Sequence, residues 1–185
     1  MSESQDQPWT VLRLLDWTTD FFKRKGSESP RLDAEVLLAH ARDCERIELY
    51  TAFAEEPDEE QRVAFREMVR RRGEGMPVAQ LVGYREFYSS RFRVNDATLI
   101  PRPETEHLVV ETLDCAKQFS SERPLQVIDV GTGSGVIAIS VAQSCENAVV
   151  TAVDISEAAL KIAAWNAQKL EVADRIEFMK SALLS

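Results

Sequence analysis

A chain of 185 residues with 44% hydrophobic and 29% charged residues is long enough to bury one or two cores, and it reads as globular. Its net charge of −9 argues against broad attraction to a nucleic-acid backbone, while leaving room for a local basic patch. Three scattered cysteines without a C-x-x-C pair, two histidines without ligand-spaced partners, and no basic leader or apolar run near the ~20 residues of a membrane span point the same way: a cytoplasmic protein in a reducing compartment, with no metal and no membrane.

From Trp9 to about Gly75 the pattern is helical. Val11, Leu14, Leu15, Thr18 and Phe22 recur along one stripe, and Gly26 ends that helix. Pro30 opens a second helix, in which Leu32, Val36 and Ala39 are expected to share the buried face. A short apolar segment spans residues 47–53. Asp58, with Gln61 three residues on, then offers a capping box for a helix through Arg72. Short helices with one apolar face each make a small bundle, taken here as residues 1–75. Within it, Arg62, Arg66, Arg70, Arg71 and Arg72 cluster against Glu55, Glu56, Glu59, Glu60 and Glu67. That pattern reads first as a solvated helix face and, alternatively, as a docking surface for a partner.

Residues 76–100 form the expected linker, a β-hairpin in YREFYSSRFRV with its turn around Ser89 and Ser90. In IPRPETE, Pro101 and Pro103 hold the chain extended and Glu104 opens a helix through Ala116. Arg102 and Glu106 are either parts of a rigid connector or residues facing a cofactor or substrate.

The rest, residues 101–185, alternates helix and strand. LQVIDV, Leu125–Val130, is followed by GTGSG, a small-residue helix over 134–143, and a second apolar strand over 149–154. Ser156 caps a helix to about residue 170, and residues 176–179 form a third strand. Unbroken apolar strands such as VVTAV predict a parallel sheet covered on both faces. Glycine at Gly131, Gly133 and Gly135 lets the chain turn tightly and approach a ligand, and Asp154 stands at the end of the next strand, where a carboxylate accepts from ribose hydroxyls. A dinucleotide fingerprint places its third glycine at position 136, which is Val136 here. The G-x-G-x-G spacing instead looks like the first motif of S-adenosylmethionine methyltransferases.

The series PVAQLVGYREFY, LIPRPETE, VIDVGTGSGVIAIS and VDIS with WNA resembles the HemK/PrmC family, the glutamine methyltransferases that modify peptide chain release factors. The likeness extends along essentially the whole chain, and the PRPETE element is its most selective part. It implies an α/β protein: a small N-terminal helical bundle for substrate recognition, a β-hairpin linker, and a partial Rossmann-like S-adenosylmethionine methyltransferase domain. It implies that Gly131, Thr132, Gly133, Ser134 and Gly135 line S-adenosylmethionine, that Asp154 binds its ribose, and that Leu183 flanks its adenine. Asn166 matches a recurring family position and reads equally as a ligand contact or as a polar residue on a helix flank. Ala182 stands where the family usually carries an acidic residue near the adenine, which puts adenine affinity in question. The Asn-Pro-Pro-Tyr catalytic signature is absent from the sequence, so no residue here is assigned as catalytic and the chain by itself is expected to be inactive. A release factor is the implied partner, with no direct nucleic-acid contact. The alternatives are a nucleic-acid adenine methyltransferase, a dehydrogenase, and a non-catalytic module that only docks a partner.

Overall fold

The computed structural model describes residues 8–119 and 124–182, which fall into two compact units divided between Val82 and Gly83. Residues 76–100, expected as one linker, are shared between the two units.

In the first unit, α1 (Val11–Arg24) begins at Thr10, whose hydroxyl accepts from the Arg13 amide. Its buried stripe is Val11, Leu15, Thr18 and Phe22, with Leu14 half-buried, as the periodicity predicts. α2 (Pro30–Ala41) opens on its proline, which needs no amide partner at that position. The face expected for α2 is not the buried one. Leu32 is 45% exposed and Val36 half-buried, whereas Ala34, Glu35, Leu37 and Leu38 are buried along with Ala39. The reason is that α2 packs against α1, α3 and α4 together, so a single stripe does not describe it. The apolar segment after α2 forms a 3-10 turn, Arg46–Tyr50, in which Leu49 is buried. α3 (Glu59–Gly73) carries the predicted capping box: the Asp58 carboxylate accepts from the Gln61 amide at 2.8 Å, and the Gln61 side chain accepts from the Asp58 amide at 3.2 Å. α4 (Val78–Val82) packs on α2 and α3.

Glu35 is a buried carboxylate that the periodicity hid. It accepts from Arg31 Nε at 2.8 Å, Tyr50 Oη at 2.8 Å and Arg46 Nη1 at 3.2 Å. Burial pushes its carboxyl up, but these hydrogen bonds and the two guanidinium charges outweigh burial and hold it below the ordinary carboxylate range.

The second unit starts with the hairpin β1 (Tyr84–Phe87) and β2 (Ser90–Arg93). Phe87 pairs with Ser90, so the turn residues are Tyr88 and Ser89, one position earlier than the sequence suggested. Both have positive φ, 46° and 63°, as a tight two-residue hairpin requires even without Asn-Gly. A 3-10 turn, Pro103–Thr105, leads into α5 (Glu106–Ala116), so the helix opens at Glu106 rather than Glu104. Then follow β3 (Leu125–Val130), α6 (Val136–Ser144), β4 (Ala148–Asp154), α7 (Glu157–Lys169) and β5 (Ile176–Lys180). The three strands are parallel in the order β3-β4-β5. This is a Rossmann-like βαβαβ arrangement.

One face of the sheet is the core. Ala148, Val150, Ala152 and Ile176 meet Val109 of α5, the body of α6, and Phe87 and Phe92 of the hairpin. The opposite face departs from expectation. Ile128, Val130, Val149 and Met179 are 57, 47, 40 and 44% exposed, and no helix among the described residues covers them.

Candidate functional site

The first glycine bend stands where β3 gives way to α6, and it is braced on every side. The Gly131 and Thr132 amides both donate to the carbonyl of Val153, at 2.8 and 3.0 Å, which pins the bend to β4. Gly131 and Gly133 have φ of 78° and 58°, a region in which L side chains are strained. No heavy atom lies within 4 Å of where a Cβ at Gly131 would stand, and at Gly133 the nearest is the Gly131 carbonyl at 3.9 Å. Bare backbone therefore faces open space.

Gly135 serves differently. A Cβ there would stand 2.8 Å from Ile139 Cδ1 and 3.1 Å from Ala163 Cβ. Its bareness lets α6 and α7 approach each other. Gly135 is thus required by helix packing rather than by approach to a ligand.

Two aspartates set the loop. Asp129 Oδ2 accepts from Thr132 Oγ1 at 2.7 Å and from the Ala138 amide at 3.2 Å. Burial pushes the Asp129 carboxyl up, those two hydrogen bonds pull it back, and the nearby Asp154 charge adds to the rise, leaving it above its ordinary value. Asp154, half-buried at the end of β4, accepts from the Gly133 amide through Oδ2 at 2.9 Å and from the Ser156 amide through Oδ1 at 2.8 Å. Its carboxylate thus turns toward the glycine bend, and each oxygen keeps a lone pair for a further donor. Beside it the Ser181 amide donates to the Asp154 carbonyl at 3.1 Å, which brings the end of β5, with exposed Ala182, to the same place. Leu183 lies outside the described residues.

Asn166 is a brace rather than a surface residue. It is 1% exposed; its Oδ1 accepts from the Arg93 amide at 2.8 Å, and its Nδ2 donates to the carbonyls of Ser134 at 2.8 Å and Arg93 at 3.1 Å. α7 therefore ties the hairpin to the glycine bend. Glu106 also acts on the hairpin, accepting from the amide of Tyr88, the first turn residue, at 3.1 Å. Arg102 is exposed at the entry to the 3-10 turn, and its carbonyl accepts from the Thr105 amide.

The residues present suit a nucleoside ligand with a charged or hydroxylated tail. The carboxylate matches a ribose diol, and the open backbone at Gly131 and Gly133 admits a close approach. The buried Ser134 hydroxyl finds no hydrogen-bond partner among the described residues. Ile155, next after the carboxylate, is 70% exposed and offers an apolar surface. Among the described residues no group of His, Cys, Asp or Glu gathers to hold a metal, and no helix is long and apolar enough to cross a membrane.

Comparison with known proteins divides along the same units. Residues 13–83 match the family model of the PrmC N-terminal domain, and residues 103–184 that of the ribosomal protein L11 methyltransferase, PrmA. The chain is 65% identical over 181 residues to a release factor glutamine methyltransferase of Rhodopirellula baltica, covering 97% of this chain and 61% of the relative. A release factor glutamine methyltransferase of Koribacter versatilis is 41% identical over 176 residues, covering 95% of this chain and 61% of the relative. A solved SAM-dependent methyltransferase from Geobacter sulfurreducens, in complex with S-adenosyl-L-homocysteine, overlaps 40% of this chain and 28% of its own at 30% identity, with a TM-score of 0.33. The chain spans about three fifths of the length of the curated relatives it matches.

Proposed function

We propose that this chain, which belongs to the HemK/PrmC family, supplies the S-adenosylmethionine site of an enzyme that methylates the side-chain amide of the glutamine in the Gly-Gly-Gln motif of peptide chain release factors. The observation that carries the reading is the bond from the Gly133 amide to Asp154 Oδ2, which holds a bare glycine bend and the carboxylate proposed for the ribose in one frame. S-adenosylmethionine, when bound, supplies a methyl group on a positively charged sulfur. The chain's own work is capture and positioning.

Asp154 accepts from the ribose hydroxyls with the lone pairs left over from Gly133 and Ser156. Gly131 and Gly133 let the ligand lie against the backbone, and Ile155 with Leu183 flanks the adenine. Ala182 brings no polar group to the adenine, so the affinity rests on the ribose and the amino-acid tail. Asp129 and Asn166 hold the bend from behind, so little rearrangement is left for binding to drive. This reading assigns no side chain of the described residues to the glutamine nitrogen, and gives its orientation to an Asn-Pro-Pro-Tyr motif of the kind the family carries. The exposed sheet face of Ile128, Val130, Val149 and Met179 supports that view, because a parallel sheet is stable with both faces covered.

The test is methyl transfer by the protein extended to its relatives' full length, with a release factor and S-adenosylmethionine labelled on the methyl group. Label is expected in the Gly-Gly-Gln glutamine and is lost when that glutamine is replaced. Label in nucleic acid, or none in the release factor, would overturn the assignment.

A further inference from the structure

In the helical unit, α1 and α3 both pack on α2, and a groove of about 520 Å³ is lined from both of them. Trp9, Trp17 and Phe21 line one side, and Arg62, Arg66 and Arg70 the other. Phe65 and Val69, both buried, form the apolar bottom. Trp9, just ahead of α1, and Trp17 within it are 39 and 49% exposed, unusual for two tryptophans side by side in a small bundle. Thr18, also in the lining, is fully buried with a hydroxyl that finds no hydrogen-bond partner among the described residues. No part of the methyl-transfer site uses any of these residues.

The charge of the groove runs against that of the chain. Its charged lining is one glutamate, Glu59, and three arginines, whereas the whole chain carries −9. Arg66 forms no salt bridge among the described residues. Arg62 pairs with Glu59, and Arg70 with Glu67 and Glu74. Those carboxylates are all more than half exposed, so an incoming carboxylate replaces them at little cost.

The ring faces decide between a base and a side chain as occupant. Trp17 and Phe21 are stacked on each other with centroids 5.5 Å apart and planes 6° from parallel. Lys25 Nζ sits over the Phe21 ring at 5.7 Å, and the Arg13 guanidinium over the Trp9 ring at 4.3 Å. One π-face of Trp9 and one of Trp17 are thereby taken, and Phe21 is engaged by both Trp17 and Lys25, which leaves less ring face for a nucleobase than three free rings would offer. From Glu59 to Arg70 the rim runs about 16 Å, some three turns of an α-helix.

We infer that the α1–α3 groove is a docking site for an acidic amphipathic helix of a partner protein, its apolar side chains set against Trp17, Phe65 and Val69 and its carboxylates against Arg62, Arg66 and Arg70. This is the helix-in-groove mode of recognition, with three anchors spaced i, i+4 and i+7. The inference concerns the helical unit alone and stands or falls apart from the methyl-transfer reading.

The probe is a synthetic helix-forming peptide of about 14 residues, with leucines at that spacing and glutamates flanking them. Its control replaces every glutamate with lysine. Both are titrated into the whole chain while the indole N–H resonances of Trp9 and Trp17 are followed by NMR. The acidic peptide is expected to shift both indoles saturably and the lysine peptide neither. Arg66→Glu, at an exposed position that leaves the fold intact, and Trp17→Ala should each weaken binding roughly tenfold or more. The proposal is overturned if neither peptide binds, if both bind alike, or if Arg66→Glu changes nothing. It is likewise overturned if single-stranded RNA shifts the indoles in place of the acidic peptide, or if they shift with protein concentration alone through self-association.

Discussion

Replacing Asn166 by alanine should loosen the link between the hairpin and the glycine bend. The side chain makes three hydrogen bonds of 2.8, 2.8 and 3.1 Å at 1% exposure. A satisfied bond contributes about 1 kcal/mol net, and a buried group left unpaired costs about 1–3 kcal/mol. The Arg93 amide and the Ser134 carbonyl both lose a partner, so a loss of about 3 kcal/mol is expected, near a hundredfold in the folding equilibrium. Asn166→Asp separates hydrogen bonding from packing. It keeps the acceptor for the Arg93 amide but turns an oxygen toward two carbonyls, so at neutral pH it should be at least as damaging as alanine. Urea unfolding followed by circular dichroism gives the stability, and exchange of the Arg93 amide gives the local effect. A loss under about 1 kcal/mol for Asn166→Ala, with Arg93 protection unchanged, would refute the bracing role.

Ser89→Gly should stabilise the chain by about 0.5–1 kcal/mol, because residue 89 has φ of 63° and glycine adopts that region without steric cost; an unchanged urea midpoint would contradict it. Glu35→Gln removes the charge that Arg31 and Arg46 face and should cost about 1–2 kcal/mol at neutral pH. Because the Glu35 carboxyl titrates below its unfolded value, its contribution is present above about pH 4.3 and fades as pH falls; the gap between parent and variant should close in acid. Asp129→Asn has the opposite sign. Its carboxyl titrates above its unfolded value, so the parent loses stability as pH rises past about 4, and the variant should gain relative to it from there toward neutrality. Midpoints at acid and neutral pH check both, and parallel profiles for parent and variant would contradict them.

The elements that proved legible are those fixed by local rules. The α1 stripe, the Asp58–Gln61 box, the Ser156 cap and β3 each depend on residues a few positions apart. The glycine bend and Asp154 were readable because their spacing encodes a turn and a strand length. What escaped needs long-range knowledge. The buried face of α2 depends on three neighbouring helices, and an apolar run nearly continuous around the helix gives no hint of which side is deepest. Glu35 looks like any surface glutamate until Tyr50 and Arg46, 15 and 11 residues away, close over it. Asn166 is paired with Arg93 across 73 residues of sequence. The partial exposure of Ile128, Val130, Val149 and Met179 could not be foreseen either, since apolar strand residues read the same at exposed and at covered positions.

Titration calorimetry of the folded chain with S-adenosylmethionine, alongside Asp154→Ala and Asp154→Asn, bears on the central claim most directly. Two ribose hydroxyls on one carboxylate, at about 1.5–3 kcal/mol each, predict saturable one-site binding that weakens at least a hundredfold in the alanine variant. Asparagine, which keeps one acceptor, should fall between them. Binding by Asp154→Ala within about threefold of the parent, or no binding by the parent itself, would contradict a methyl-donor site built on this bend and this aspartate.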